Sequence, residues 1–262
     1  VLHAGPPLTW ERMCGPVRGA VIGGLLFEGL AKTREEAEKL AASGEITFDP
    51  CHHHQAVGPM AGIVTASMPV WEIENRAFGN KAYCTLNEGL GKVLRYGAFS
   101  QEVIDRLAWM RDELGPALQA AMKSHGPLDM RTLIAQALQM GDEGHNRNRA
   151  ATSLVIRALG PHLVESDLPK AVVAKVLRFI NGNDHFFLNL SMPSSKAATD
   201  AIADIPWSTL IATQARNGTD FGIRLAGLPG RWFTGPATMV DGLYLPGFKA
   251  EDAAPDIGDS VI

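Results

Sequence analysis

The sequence has no block of like charges, no long apolar run and only three cysteines, and each absence removes a class of protein. With 24 basic residues against 28 acidic ones and a formal net charge of −4, there is no basic face for nucleic acid and no acidic tail. The apolar run Val21–Phe27 is interrupted by Gly23 and Gly24. It falls far short of the ~20 residues a membrane helix needs, and no charged leader precedes it. No membrane segment is therefore expected. Cys14, Cys51 and Cys84 are odd in number and form no C-x-x-C pair, which argues against a disulfide framework and for a reducing, cytoplasmic setting. Also missing are the G-x-x-x-x-G-K-[ST] phosphate loop, the strand–G-x-G-x-x-G–helix unit, the H-E-x-x-H zinc motif and any nucleophile elbow. The chain opens at Val1 and stops at Ile262 inside sequence that reads as ordered, so it is expected to be a fragment of a longer protein.

What remains is a chain of 262 residues, able to bury roughly 75% of its unfolded surface without staples. Glycines in Trp10–Ala20 lead to a possible helix at Val17, and backbone N–H groups there could approach an anion. Thr33, with Glu36 three residues on, forms a capping box for a helix ending near Gly44. Val, Ile and Trp recur over residues 63–73, predicting one or two strands and then a turn at Asn75–Asn80. From about Tyr83 to Asn181 the apolar spacing turns helical, predicting about five helices broken at Gly126-Pro127 and Gly160-Pro161. Asn87–Lys92 reads as a helix start with Lys92 solvated. A helix or turn follows over Asp184–Asp204, then strands at Thr209–Ala215, Phe221–Ala226 and Met239–Leu245. Strand segments flanking a helical block predict an α+β fold: residues 1–96 and 183–262 form one domain whose halves pair in space, and residues 97–182 a mostly helical inserted lobe. Pockets favour such junctions.

Four polar clusters could carry chemistry. In Cys51-His52-His53-His54, an extended backbone would put His52 and His54 on one face and His53 on the other. H-x-H supplies two ligands where zinc needs three or four, so no metal and no cofactor is expected, and the imidazoles are read as acid or base groups. In Gly141–Asn148, Arg147 could hold a carboxylate or phosphate, and Asn146 and Asn148 could donate to and accept from a planar amide. The bland alternative is a helix cap by Asp142 or Asn146. Asn181–His185 is either a helix end at Gly182 followed by a cap at Asp184, or a pocket wall. Arg216–Arg224 contains Asn217-Gly218 between strand-like runs, which is a hairpin signal, leaving Arg216, Asp220 and Arg224 as candidates.

Several long motifs occur in a fixed order: H-A-G-P-P-L-T-W-E-R-M-C-G-P at 3–16, P-C-H-H-H-Q-A-V-G-P-M-A-G at 50–62 and S-M-P-V at 67–70. They continue with G-N-K-A-Y-C-T-L-N-E-G-L-G-K-V-L-R-Y-G at 79–97, M-G-D-E-G-H-N-R-N at 140–148, N-D-H-F-F-L-N at 183–189 and R-N-G-T-D-F-G-I-R at 216–224. With these motifs the chain resembles the YlbE/AllG family of oxamate carbamoyltransferase subunits over nearly its whole length. The resemblance implies an α+β architecture and a part in purine-catabolic carbamoyl transfer, in which oxalurate and phosphate interconvert with oxamate and carbamoyl phosphate. It also implies a multi-subunit enzyme with an FdrA-type, acyl-CoA-synthetase-like subunit and a further subunit, and polypeptides longer than this one. It supplies no catalytic residues. From the chemistry of the clusters, His53, His54 and His185 are expected to move protons, while Asn146, Arg147, Asn148, Asn183 and Arg224 hold substrate. The alternatives are a metal-dependent amide or urea hydrolase using His52 and His54, and a structural subunit that only positions a catalytic partner.

Overall fold

The computed structural model describes residues 1–58 and 62–203, together with the backbone of four strands between residues 211 and 260. Helix α1 (Gly15–Phe27) starts with Pro16 in its first turn, where a missing N–H costs nothing. Its small residues let it lie flush on the turn Leu94–Gly97: a Cβ added to Gly19 would sit 2.2 Å from the Gly97 carbonyl oxygen. Gly97 itself, at φ +82°, would bring a Cβ to 2.6 Å from Pro16. This contact fixes the segment that carries Arg95. Helix α2 (Arg34–Ala42) is capped by Thr33, whose Oγ1 accepts from the Glu36 amide at 3.2 Å. The Glu36 carboxylate reaches back to the Lys32 amide at 2.7 Å, one residue earlier than in the usual box.

Among the described residues, three small sheets accompany the helices. In the first, β1 (Leu2–His3) lies between β2 (Asp49–Pro50), parallel to it, and β4 (Ile63–Val64), antiparallel. In the second, β6 (Asn80–Thr85) lies between β3 (Ala56–Val57) and β5 (Val70–Asn75). The β5–β6 hairpin runs in register from Val70 opposite Thr85 to Asn75 opposite Asn80. The third sheet has the order β10 (Ile257–Ser260), β7 (Ile211–Asn217), β8 (Asp220–Leu225), β9 (Trp232–Pro236). Its β7–β8 pair is the antiparallel hairpin expected around Asn217-Gly218. The strand expected at Met239–Leu245 lies outside the described residues.

Five helices occupy the expected block, α3 (Gln101–Trp109), α4 (Gly115–His125), α5 (Met130–Gln139), α6 (Arg149–Val164) and α7 (Lys170–Asn181), but the break expected at Gly160-Pro161 falls inside α6, which continues through Pro161. A π-helical segment, Met110–Leu114, joins α3 to α4. The block begins later than the periodicity predicts. Tyr83 belongs to β6, where Ala82 and Cys84 point inward at period two, and these small apolar residues mimic helical spacing. Residues 86–93 are irregular rather than a helix start, because Gly89 and Gly91 take φ of +95° and +92°, which no helix accommodates. Helix α8 (Leu188–Ala203) covers β5 and β6.

The buried apolar residues form two cores. One gathers α1, α2 and Val103 and Leu107 of α3; the other gathers Met110, Leu114, α4 to α7 and Phe186, Phe187 and Leu190, with Trp71 from the second sheet and Leu86 just after it. Fold class α+β is thus borne out. Polar residues collect where the two cores abut.

Candidate functional site between the two cores

The loop after β6 carries buried polar residues at this junction. Asn87, Glu88 and Arg95 are all at least nine-tenths buried. Asn87 Nδ2 donates to Asn189 Oδ1 at 2.7 Å, and Asn189 Nδ2 donates to the Thr85 carbonyl at 2.7 Å. Asn183 Nδ2 donates to the Asn87 carbonyl at 3.1 Å and to its Oδ1 at 3.2 Å, while Asn183 Oδ1 accepts from the His185 amide at 3.1 Å. This run of carboxamides ties β6 and its loop to the end of α7 and to α8. Asn183 was read from sequence as a substrate ligand; the structure shows its donors and acceptor engaged within the protein.

Glu88 accepts from the Leu94 and Arg95 amides at 2.9 and 3.2 Å. Burial pushes its carboxyl above the usual carboxylate range in spite of those bonds and of the Arg95 charge. The Arg95 guanidinium lies over the Tyr96 ring at 5.0 Å and donates from Nη2 to the Gly89 carbonyl at 2.7 Å. Its Nε and Nη1 are buried with no hydrogen-bond partner among the described residues. Each such donor costs about 1–3 kcal/mol in the free protein. Beside them is a small cavity of about 30 Å³, lined by Glu88, Arg95, Thr85, Asn189, Met68 and Met110 among others.

His185 follows Asn183 and is half-buried. Burial lowers its basicity first and the Arg95 charge lowers it further; His145 acts in the same direction, against Asp184 and Glu143. The pKa of His185 is therefore held below the usual histidine range, which favours the neutral imidazole. Beyond Asp184, which forms a two-bond ion pair with Arg149 at 3.1 and 2.5 Å, stands the turn 143–148. There the Glu143 carboxylate accepts from the amides of His145, Asn146 and Arg147. Burial alone would raise the Glu143 carboxyl, and the three amides outweigh it and hold it below its ordinary range. Asp142 caps α6 by accepting from the Ala151 amide at 2.9 Å. Asn148, the residue that caps the start of α6, donates to the His145 carbonyl at 2.6 Å, and its buried Oδ1 has no partner among the described residues. The Asn146 and Arg147 side chains are exposed. A second cavity, lined by Asp142, Glu143, His145, Phe187 and Ser191, opens on this side.

The histidine cluster lies elsewhere. Residues Cys51–His54 form a turn of 3-10 helix rather than an extended strand, and this corrects the pairing of the imidazoles. His53 and His54 converge on one carboxylate, Asp49, at 2.9 and 2.7 Å, and His52 turns inward. Partial burial raises the Asp49 carboxyl, but the two histidine bonds outweigh it and the net shift is downward. His52 Nδ1 accepts from the fully buried Lys196 Nζ at 2.6 Å, and Lys196 also pairs with Asp200 at 3.1 Å. His52 and His54 thus face apart. No group of three or more His, Cys, Asp or Glu side chains suited to a metal ion occurs among the described residues. Arg224 lies in β8 opposite Thr213 and Trp232, and its side chain is outside the described residues, as are those of Arg216 and Asp220.

The structure therefore brings Asn183 and His185 together with the turn 142–148, and leaves His53 and His54 on a separate patch. Asn87 and Glu88, expected as a helix start, and Arg95 are not among the site residues that the sequence predicts. Their signal was the paired glycines at 89 and 91 directly after Asn-Glu, which mark a loop bent over something polar.

A family model described as oxamate carbamoyltransferase subunit AllG matches residues 46–260. Over its full length the chain is 53% identical to the uncharacterized protein YahG of Escherichia coli K12, covering 56% of that protein. It is 48% identical to the oxamate carbamoyltransferase subunit AllG of the same organism, covering 63% of it. The chain thus spans between half and two-thirds of the length of these relatives. A crystal structure of a conserved protein of unknown function from Enterococcus faecalis V583 superposes with a TM-score of 0.94 at 49% identity, over 98% of this chain and 62% of that one. No helix among the described residues is long and apolar enough to cross a membrane. The polar junction and the histidine patch both fall inside the matched region, and on that match the chain belongs to the AllG family.

Proposed function

We propose that this protein acts in a cytoplasmic carbamoyltransferase complex that interconverts oxalurate plus phosphate with oxamate plus carbamoyl phosphate. Its own part is contact with the reacting groups at the junction of residues 87–95, 142–149 and 183–185. The observation that carries this reading is the placement of His185, half-buried between the Asn183 carboxamide and the Asp184–Arg149 pair beside the polar turn 142–148, with burial and the Arg95 charge lowering its pKa. In the synthetic direction the amide nitrogen of oxamate forms a C–N bond to the carbamoyl carbon, the C–O bond to phosphate breaks, and one N–H proton is released. A neutral His185 suits uptake of that proton. The roles given to Asn146 and Arg147 remain part of the proposal. Their exposure suits contact with a partner, an FdrA-type subunit or a further one, that completes the site. Asn148, whose Oδ1 has no partner among the described residues, is the acceptor assigned to an N–H of the carbamoyl group.

The test is carbamoyl transfer by the assembled complex containing full-length protein with His185→Gln. The rate should fall at least tenfold with assembly intact. An unchanged rate would remove His185 from the chemistry and favour a subunit that only positions its partner.

A further inference from the structure

We infer that the loop Gly89–Lys92 is a preformed docking element for a different subunit of the complex, presenting Leu90 as an apolar knob and Lys92 as its cationic flank. The inference rests on the carbamoyltransferase reading for the existence of that subunit, and adds the place on this chain where it sits. Burying a polar side chain stabilises a fold little, and costs a great deal where its bonds are incomplete. Here Asn87, Glu88 and Arg95, each at most 8% exposed, aim their bonds at the backbone of one short loop and its return. Asn87 Oδ1 accepts from the Gly89 amide at 2.9 Å, and Arg95 Nη2 donates to the Gly89 carbonyl at 2.7 Å. Glu88 takes the Leu94 and Arg95 amides, and Arg106 Nη1 donates to the Lys92 carbonyl at 2.8 Å. Side chains thus pin the loop at both ends. The two Arg95 nitrogens without a partner among the described residues are part of what that pinning costs.

What these bonds hold up is Leu90, 59% exposed between Gly89 and Gly91. A single leucine in solvent needs no explanation by itself. On a loop anchored at both ends it has one, because a side chain displayed in a fixed position loses little freedom when a partner covers it. Lys92 is exposed as well and makes no ion pair among the described residues. The loop leaves the protein against Asn183: a Cβ added to Gly89 would lie 3.9 Å from the Asn183 carboxamide carbon. A chain seated on Leu90 therefore borders the stretch that carries His185. Charge and symmetry select the occupant. Two copies meeting loop to loop across a two-fold axis would set their Lys92 ammonium groups against each other. A different chain, with an apolar pocket rimmed by Asp or Glu, accommodates both the knob and its charge.

The experiment compares the purified complex of full-length protein and its partner subunits with the same complex carrying Leu90→Asp or Lys92→Glu, by mass photometry over a dilution series. Leu90→Asp should weaken assembly about tenfold or more, as loss of an anchoring side chain does. Lys92→Glu should weaken it about threefold or more, by a factor that shrinks as salt is added. Val164→Asp, at a similarly exposed site on α6, should leave assembly unchanged. Hydrogen exchange, which needs no variant, should be fast at the amides of residues 90–92 in the isolated full-length protein and slowed in the complex. Unchanged assembly in both loop variants, or an equal loss in Val164→Asp, would overturn the assignment. So would slow exchange in the isolated protein, which means that the chain itself covers Leu90. Self-association of the isolated protein that Leu90→Asp abolishes would overturn it too, since the occupant is then a second copy. Assembly lost in the variants of a complex that transfers no carbamoyl group sinks the functional reading and leaves the docking loop standing. Full transfer with undiminished assembly in Leu90→Asp does the reverse.

Discussion

Replacing Asn183 by Ala separates two roles for this carboxamide. If Asn183 is a structural bridge, the loss is in stability. Its side chain makes three contacts: two from Nδ2 to the Asn87 carbonyl and Oδ1, and one from the His185 amide to Oδ1. At about 1 kcal/mol net for each, the bonds alone account for about 3 kcal/mol. Deleting the side chain from a site 4% exposed also leaves a small cavity, which brings the expected loss to about 3–4 kcal/mol. That is a large share of the ~5–15 kcal/mol that holds a domain together. Urea unfolding of full-length protein, followed by tryptophan fluorescence, measures it through the shift in midpoint at constant slope. Asn183→Asp should be no better, because an oxygen would replace the donating nitrogen against two acceptors. A loss below about 1 kcal/mol would refute the reasoning. Unchanged stability with a tenfold higher KM in the complex would instead restore the substrate-binding role read from sequence.

Gly19→Ala drives a methyl group into the Gly97 backbone at 2.2 Å, so it should cost about 1–3 kcal/mol in thermal unfolding and disturb the Arg95 segment with it. His3 is fully buried in β1, and burial lowers its pKa from the ordinary 6.5 despite the Ala4 carbonyl and the Asp49 charge. The unfolded chain therefore takes up this proton first, and stability should fall as pH drops below ~6.5 toward the folded value, by up to about 1.4 kcal/mol per pH unit. Comparing melting temperatures at several pH values with those of His3→Gln should show a flatter slope in the variant, and equal slopes would exclude His3 as the source. Glu143→Gln removes a charge that favours protonated His185, so the acidic limb of the rate–pH profile should move to lower pH. Asp49→Asn should change stability by less than about 1 kcal/mol, since its histidine pairs are exposed; a larger change in unfolding midpoint would contradict that.

What was readable in the sequence follows from the range over which each signal acts. Thr33 capping α2, the five helices between Gln101 and Asn181, and the Asn217-Gly218 hairpin are local, and residues within a few positions determine them. Where local signals were ambiguous, the reading slipped. Ala82 and Cys84 fit either period, and Cys51–His54 contains nothing that distinguishes a strand from a 3-10 turn. The site was legible in composition and illegible in geometry. Asn183 and His185 stood out as polar residues beside an apolar run, yet their partners lie near Asn87 and Arg95, which the sequence presents as an unremarkable helix start. Spacing along the chain also could not show that Lys196 would draw His52 away from His53 and His54.

The carboxamide bridge joins residues about a hundred positions apart: 96 between Asn87 and Asn183, and 102 between Asn87 and Asn189. Contacts of that span close late in folding, because the intervening chain must be ordered first. During synthesis, the segment Thr85–Arg95 leaves the ribosome long before α7 and α8 exist to receive it. Until then Asn87 has no carboxamide to pair with, and the first core must assemble around α1 with one wall still open. The five intervening helices set the delay, so slowing translation across them should lengthen the time the nascent chain depends on chaperones. The small cavity beside Arg95, walled by both cores, is consequently among the last parts of the molecule to take shape.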